Sequence, residues 1–173
     1  MTAQVVRRLV PSDAPAYRAL MLDGYARHPD AFTSSVAERA ALPMSWWEAR
    51  LSAEPTPREV VFGAFDGTAL VGAAGLSFEA REKARHKANF FGMYVTPGSR
   101  KHGFGRRIVD AALDAARARD GVRLVQLTVT EGNASARTLY EQCGFRAFGL
   151  EPMAVAVDGA YVSKVHMWLL LSA

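Results

Sequence analysis

The sequence predicts a mixed α/β fold, in which about seven strands form a mostly antiparallel sheet and about four helices flank it. Turn signals at Asp66-Gly67 and at Asp158-Gly159 each separate two apolar segments, a pattern typical of β-hairpins. Between these hairpins, a strand, a loop, a helix and a second strand follow one another, which predicts a right-handed crossover between parallel strands. A length of 173 residues, 50% of them hydrophobic, predicts a single domain over residues 1–173.

The N-terminal part is predicted to contain one strand and two helices. Residues 4–9 form the strand, and Ser12 or Asp13 is placed to cap a helix that runs to about Arg27. A second helix begins at about Ser45. We expect the polar residues 33–35 between the helices to lie over a cleft. The large apolar side chains nearby are expected to pack in the core, with a ligand-binding wall as the alternative: Phe32, Met44, Trp46 and Trp47.

Six strands and two helices are predicted after residue 60. The strands cover residues 60–65, 70–78, 90–95, 122–130, 145–157 and 161–171. A long helix shows helical spacing of apolar residues from Ile108 and ends at Asp120-Gly121, and a short one runs from about Ala134 to Gln142. We therefore expect strand 122–130 to lie parallel to strand 90–95.

The charge and cysteine content exclude several classes of protein. The net charge of +4 arises from 21 basic and 17 acidic residues. These residues are scattered, which argues against nucleic-acid binding but suits a small anionic ligand. The single cysteine, Cys143, excludes an internal disulfide framework and a cysteine-based zinc cluster. No segment predicts a signal peptide or a membrane span, so we expect a cytoplasmic protein. We also expect no bound metal.

A basic, glycine-containing loop joins strand 90–95 to the long helix. It reads Arg100-Lys101-His102-Gly103-Phe104-Gly105-Arg106-Arg107. The free N–H groups and the positive dipole end of a helix N-terminus bind anions, and the neighbouring cations favour phosphate. The alternative is an ordinary strand-to-helix turn on a basic surface.

A second informative stretch begins where the short helix starts. Asn133 stands at the expected cap position, and Ala136 and Tyr140 follow at three and seven residues, so that all three share one helix face. If the two crossover strands carry their helices side by side, this face is directed toward the basic loop. The alternative is a simple helix cap and a packing tyrosine.

Together, the two stretches resemble the GNAT superfamily of acetyl-CoA-dependent N-acetyltransferases. The resemblance depends on three groups of residues and on the order of elements along nearly the whole chain. The groups are the strand end Met93-Tyr94-Val95, the loop Arg100-x-x-Gly103-x-Gly105, and Asn133-x-x-Ala136-x-x-Leu139-Tyr140 followed by Gly144-Phe145. The resemblance implies a GNAT-like sheet whose central parallel strands splay apart.

The resemblance also implies acetyl-CoA as co-substrate and a site for it. The CoA pyrophosphate would bind the loop amides of residues 101–105. The positive charge that neutralises the CoA phosphates could come from Arg100, Lys101, His102, Arg106 and Arg107. The pantetheine arm would lie along residues 93–95, near Asn133. The expected cofactor-binding residues are Met93, Tyr94, Val95, Arg100, Lys101, His102, Gly103, Phe104, Gly105, Arg106, Asn133, Ala136 and Tyr140.

Tyr140 is the expected general acid, which protonates the departing thiolate during direct transfer in a ternary complex. A covalent route through Cys143 is the disfavoured alternative. Several family members carry a glutamate base on the central strand, but the corresponding residues 89–92 contain no carboxylate. The remaining candidate bases are His86 and Glu79, at strand ends expected to flank the cleft, and Glu131 and His166. Deprotonation through a water chain is the alternative.

Three functions are consistent with these expectations. The first is acetylation of a primary amine on a small molecule or amino acid. The second is acetylation of a protein or peptide at its N-terminus or at a lysine. The third is a CoA-binding sensor without turnover. The resemblance further implies a homodimer, and neither a nucleic acid nor a membrane is expected as a partner.

Overall fold

The structure, a computed structural model, describes residues 2–172 and contains one seven-stranded mixed sheet. The strands lie in the order β1-β2-β3-β4-β5-β7-β6, and all neighbours are antiparallel except β4 and β5. Their bounds are β1 Gln4–Arg8, β2 Glu59–Asp66, β3 Ala69–Phe78, β4 Lys87–Val95, β5 Leu124–Thr130, β6 Arg146–Val157 and β7 Ala160–Leu170. The predicted fold class is confirmed, including the parallel central pair.

Helices cover both faces of the sheet. They are α1 Ala14–Arg27, α2 Val36–Ala40, α3 Met44–Arg50, α4 Phe104–Ala118 and α5 Ala134–Gln142. One buried cluster joins α1 and α3 to β2, β3 and β4, and another joins α4 and α5 to the rest of the sheet. Within residues 2–172, no helix is long and apolar enough to cross a membrane.

Helix α4 shows why the sequence places an amphipathic helix here. Its buried residues recur at helical spacing and include Ile108, Val109, Ala112 and Leu113, whereas the arginines and aspartates face outward. The apolar side packs on β2, β3 and β4. This packing holds the N-terminus of α4 beside the carboxyl end of β4 and so fixes the position of the basic loop.

The structure corrects the predicted elements in two places. Helix α2 was not predicted, although its capping box is present in the sequence. The Ser35 hydroxyl accepts from the Glu38 N–H at 3.1 Å, and the Glu38 carboxylate accepts from the Ser35 N–H at 3.0 Å. Among the expected core residues, Trp47 is fully buried, but Met44 is 38% exposed. Met44 is the first residue of α3, one turn before the buried Trp47, and this end of the helix is open to solvent.

Candidate active site

A cavity of about 280 Å³ lies where β4 and β5 separate. The two strands pair only at their amino ends, where residues Lys87–Asn89 of β4 lie beside Leu124–Gln126 of β5. Beyond this point, residues 90–93 and 128–130 form walls of the cavity, and the α1–α2 connection, residues 31–34, lies over it. The expected cleft under this connection is therefore present, and Phe32 lines it while also packing, partly buried, against the core cluster of α1 and α3.

A β-bulge at Gly92 accounts for the divergence of β4. Phe91 is opposite Gly75, and Tyr94 is opposite Ala73. Gly92 and Met93 of β4 therefore lie opposite the single β3 residue Ala74. Gly92 adopts a φ of +64°, which a glycine reaches without steric cost. Because a bulge bends its strand, the carboxyl half of β4 leaves the pairing line with β5. The bulge thus exposes strand backbone toward the cavity.

The basic loop begins at the end of β4 and leads directly into α4. Lys101 and Gly103 both have positive φ values, +65° and +79°. Gly103 is the N-cap of α4, and no side chain caps the helix, so its first-turn N–H groups are free of a side-chain acceptor. A Cβ added to Gly103 would contact no heavy atom within 4 Å. The loop therefore offers a backbone cradle with open space in front of it.

The side chains of the loop have different surroundings. Lys101, His102 and Arg106 are exposed, and Phe104 is 2% exposed because its ring anchors α4 in the core. Arg100 donates to the Val95 carbonyl at 3.1 Å and lies 3.0 Å from the His28 imidazole nitrogen. Gly105 has a packing role, since a Cβ there would lie 3.1 Å from Met93 and 3.2 Å from Leu139.

Of the three β4 residues expected to hold the pantetheine arm, only Met93 lines the cavity with its side chain. Tyr94 points to the opposite face of the sheet, where its hydroxyl donates to the Asp23 carboxylate at 2.6 Å and its ring packs on Gly24. Val95 packs against the core on the α4 side. Tyr94 can therefore contribute only its backbone to this side of β4.

Helix α5 brings Asn133, Ala136 and Tyr140 to the cavity, as the shared face predicts. The Asn133 carbonyl oxygen accepts from the Ala136 N–H at 3.3 Å, so the residue is also a helix cap. Tyr140 is 5% exposed and makes edge-to-face contacts with Phe90 and Phe145 at ring distances of 5.8 and 6.0 Å. Burial raises the pKa of the Tyr140 phenol well above its ordinary value, and the Cys143 thiol adds to this rise.

The structure does not bring Glu79 or His86 to the cavity, which corrects the expectation that they flank it. Both lie at the amino end of β4, where the Glu79 N–H donates to the Lys87 carbonyl at 3.3 Å, while the cavity is at the other end of the strand. A hydrogen bond from Arg81 lowers the pKa of the Glu79 carboxyl to about 2. The His86 side chain is exposed to solvent.

Neither Glu131 nor His166, the other two candidate bases, lines the cavity. Glu131 is exposed, and the His166 imidazole lies 3.1 Å from the Glu151 carboxylate. Cys143 is the C-cap residue of α5, where burial raises the pKa of its thiol. Among residues 2–172, no group of three or more His, Cys, Asp or Glu side chains is arranged to bind a metal ion.

Three cations line the cavity that were not predicted from the sequence: Arg39, Arg50 and Lys164. They come from α2, α3 and β7, which are far apart in the chain. No spacing in the sequence connects them, because only tertiary packing brings these elements together. The Lys164 ammonium donates to the Thr33 hydroxyl at 3.0 Å and so links β7 to the α1–α2 connection.

Comparison with known proteins gives one family match and a curated relative. The model of the acetyltransferase (GNAT) family matches residues 21–145. A mycothiol acetyltransferase from Beutenbergia cavernae is 33% identical over 131 residues, which is 75% of this chain and 40% of that protein. The chain therefore spans about two fifths of the length of this relative.

Solved structures share the fold at low sequence identity. A GNAT-family acetyltransferase from Streptococcus pneumoniae has a TM-score of 0.86 and 22% identity, with 98% of this chain and 100% of that chain covered. An acetyltransferase structure from Salmonella typhimurium with its cofactor acetyl-CoA has a TM-score of 0.80 and 19% identity, with 99% of this chain and 96% of that chain covered. A ribosomal-protein-alanine N-acetyltransferase from Brucella melitensis has a TM-score of 0.78 and 24% identity, with 96% of this chain and 99% of that chain covered.

Proposed function

Because this chain belongs to the acetyltransferase (GNAT) family, we propose that it transfers an acetyl group from acetyl-CoA to a primary amine of a small molecule or amino acid. The observation that carries the proposal is the cavity between the splayed strands β4 and β5, which lies next to the uncapped N-terminus of α4. The structural relative from Salmonella typhimurium with acetyl-CoA supports the choice of donor.

The residues of the loop fit the phosphates of coenzyme A. The uncapped first turn of α4 and the open space at Gly103 suit a pyrophosphate, and Arg100, Lys101, His102 and Arg106 would supply positive charge. The pantetheine arm would bind along residues 93–95, where β4 has no paired neighbour on the β5 side. When bound, acetyl-CoA supplies the thioester whose acetyl group is transferred.

Amide formation requires a neutral amine, stabilisation of the oxyanion, and a proton for the thiolate. A backbone N–H of β4 beyond the bulge would stabilise the oxyanion, and the loss of one such donor typically costs about 3 kcal/mol. Tyr140 would supply the proton. Its raised pKa keeps the phenol protonated at neutral pH, so that the proton is available for the departing thiolate.

Direct transfer is favoured over a covalent intermediate on Cys143. The thiolate is the nucleophilic form of cysteine, and burial raises the pKa of this thiol, which reduces the thiolate fraction. Cys143 also does not contribute to the cavity wall. Both observations support a ternary complex in which the amine attacks the thioester itself.

Two hydrogen bonds favour a small acceptor over an extended peptide. Lys164 donates to Thr33 at 3.0 Å, and the Thr130 hydroxyl donates to the Asp30 carbonyl at 2.8 Å. These bonds tie the α1–α2 connection to β7 and β5 across the cavity, and a peptide lying between these elements would have to break them. Acetylation of a protein or peptide is therefore the second candidate, and a sensor without turnover is the third.

The test combines acetyl-CoA binding with an acceptor screen. Acetyl-CoA should raise the thermal midpoint of the protein, because a ligand that binds only the folded state stabilises it. Amines, amino acids and peptides are then screened for release of free thiol. No shift at saturating acetyl-CoA would contradict the donor assignment, use of peptides alone would favour protein acetylation, and a shift without any turnover would favour the sensor.

The Tyr140→Phe variant tests the general acid. We expect the acetyl-CoA shift in the thermal midpoint to remain, while turnover falls by about 100-fold or more, the usual contribution of general acid catalysis. Turnover equal to that of the unaltered protein at every pH would exclude Tyr140 from this role. A cytoplasmic location and a homodimer stay predictions from the sequence.

A further inference from the structure

Among the described residues, the cavity wall contains three cationic side chains and no acidic one. The three are Arg39, Arg50 and Lys164, and the described lining residues include no aspartate, glutamate or histidine. The basic residues of the α4 loop, by contrast, are absent from this lining. The cavity thus carries its own positive charge, separate from the charge that the loop offers to the donor phosphates.

Two of the three cations form no close ion pair, although the Glu151 carboxylate, opposite Lys164 in the sheet, acts on the Lys164 ammonium over a longer distance. Within the described part of the chain, neither Arg39 nor Lys164 has a carboxylate within 4.0 Å, whereas Arg50 contacts the Glu59 carboxylate at 3.2 Å. The side chain of Arg50 is only 13% exposed. Burial also lowers the pKa of the Lys164 ammonium. Partly buried cations without partners are costly, and an anion in the cavity would stabilise them.

Aromatic contacts fix the positions of the two guanidinium groups. Arg39 and Arg50 lie 4.5 and 4.7 Å from the Trp46 ring, and Arg50 also lies 4.8 Å from the ring of Phe91 on β4. Stacking occupies the flat faces of a guanidinium but leaves its N–H edge able to bind a carboxylate or phosphate with two hydrogen bonds. Lys164 is held by Thr33 at 3.0 Å. The cationic side chains are therefore pre-positioned.

We propose that the acceptor is a small molecule that carries a carboxylate or phosphate group as well as the primary amine, and that this anion binds Arg39, Arg50 and Lys164. This inference rests on the proposed acetyl transfer and narrows its substrate class. Anion binding at the cations would orient the amine toward the β4 bulge. The same charges would repel polyamines, which bring additional positive charge and no anion.

The experiment compares acceptors that share a carbon skeleton and a primary amine and differ in whether they carry the anion. Each amino acid is paired with its carboxamide, and phosphoethanolamine is paired with ethanolamine, and free thiol release gives kcat/KM for each compound. We expect the anionic member of the preferred pair to exceed its neutral partner by about tenfold or more, the usual range for a charge-assisted hydrogen bond. The two kinds of pair separate a carboxylate acceptor from a phosphate acceptor.

Charge-removing variants then test where the anion binds. Arg39→Gln and Lys164→Met should lower kcat/KM for the anionic acceptor about tenfold or more, and should lower it by a larger factor than for the neutral partner. Arg85→Gln and Lys83→Met remove the same charges from the exposed loop between β3 and β4, at the far end of the sheet, and should have no such effect. Arg50 is left intact because its removal would leave Glu59 without its partner.

A binding measurement keeps this inference separate from turnover. The N-acetylated amino acids and their amides are added with and without CoA, and the thermal midpoint is measured. Larger shifts with the anionic compounds, reduced in Arg39→Gln, would support the anion site. Equal shifts and equal kcat/KM for both members of each pair, or no effect of any anionic compound on a protein that acetyl-CoA stabilises, would overturn it. Loss of the acetyl-CoA shift itself would contradict the proposed function instead.

Discussion

Two glycines at opposite ends of α4 provide a matched test of the donor site. Gly103 and Gly121 have nearly equal φ values, +79° and +82°, and a Cβ at either position would meet no heavy atom within 4 Å. The helix between them has 15 residues, which corresponds to about 22 Å. Gly103→Leu and Gly121→Leu therefore introduce the same backbone strain, but only Gly103 lies at the proposed phosphate site.

The structure allows the size of both effects to be estimated. A leucine in the left-handed region costs about 1–2 kcal/mol, and with roughly 2–4 °C per kcal/mol for a domain of this size, each variant should lower the thermal midpoint by about 2–8 °C. Acetyl-CoA at about 100 times its Kd should stabilise the unaltered protein by about 2.7 kcal/mol, or about 5–11 °C.

The assay is thermal unfolding with and without acetyl-CoA, followed by circular dichroism. We expect Gly121→Leu to keep the full acetyl-CoA increment, and Gly103→Leu to lose it, because the leucine side chain would occupy the space in front of the loop amides. If Gly103→Leu kept the increment, the phosphate would not bind at this loop. If Gly121→Leu lost it as well, the loss would reflect general destabilisation and not a local contact.

Three further predictions concern stability and the cavity wall. Burial raises the pKa of Tyr17 from 10.0 to about 12, so the stability held by its neutral phenol is complete below pH 10 and should fall by about 2 kcal/mol as the pH rises to 12. Urea unfolding across this range should show that loss, and Tyr17→Phe should lack it. In Gly75→Ala, the added Cβ would lie 2.2 Å from the Phe91 ring. We expect the free energy of unfolding in urea to fall by about 1–3 kcal/mol and the acceptor KM to rise as the ring shifts. An unchanged KM would mean that the ring moves away from the cavity. Asn133→Ala should cost about 1 kcal/mol by removing the cap of α5, whereas Asn133→Asp should retain it.

Local signals in the sequence determined most of the fold. The hairpins over Asp66-Gly67 and Asp158-Gly159, the crossover from β4 through α4 to β5, and the start of α5 at Asn133 all appear where they were predicted. One detail differs: Asp66 pairs with Ala69, so the turn residues of the first hairpin are Gly67 and Thr68. Each of these features depends on residues within a few positions of one another, which is why the sequence reveals them.

The residues of the proposed donor site were also accessible from the sequence. The glycine loop belongs to one continuous stretch, and Asn133, Ala136 and Tyr140 share a face because the helical repeat requires it. The side-chain direction of Tyr94 was not accessible in the same way. The bulge at Gly92 interrupts the alternation of β4, and its position depends on the pairing with β3.

The proposed acceptor site depended on tertiary structure alone. Glu79 and His86 follow a strand end in the sequence, but the sequence does not reveal which end of the sheet carries the cavity, and the structure places them at the opposite one. Arg39, Arg50 and Lys164 converge from three elements that no periodicity relates. The sequence by itself thus determined the elements, the parallel crossover and the loop that we propose binds an anion. Only the packing of α2, α3 and β7 around the splayed strands decided which charges face the acceptor, because such convergence arises from contacts between residues distant in the chain.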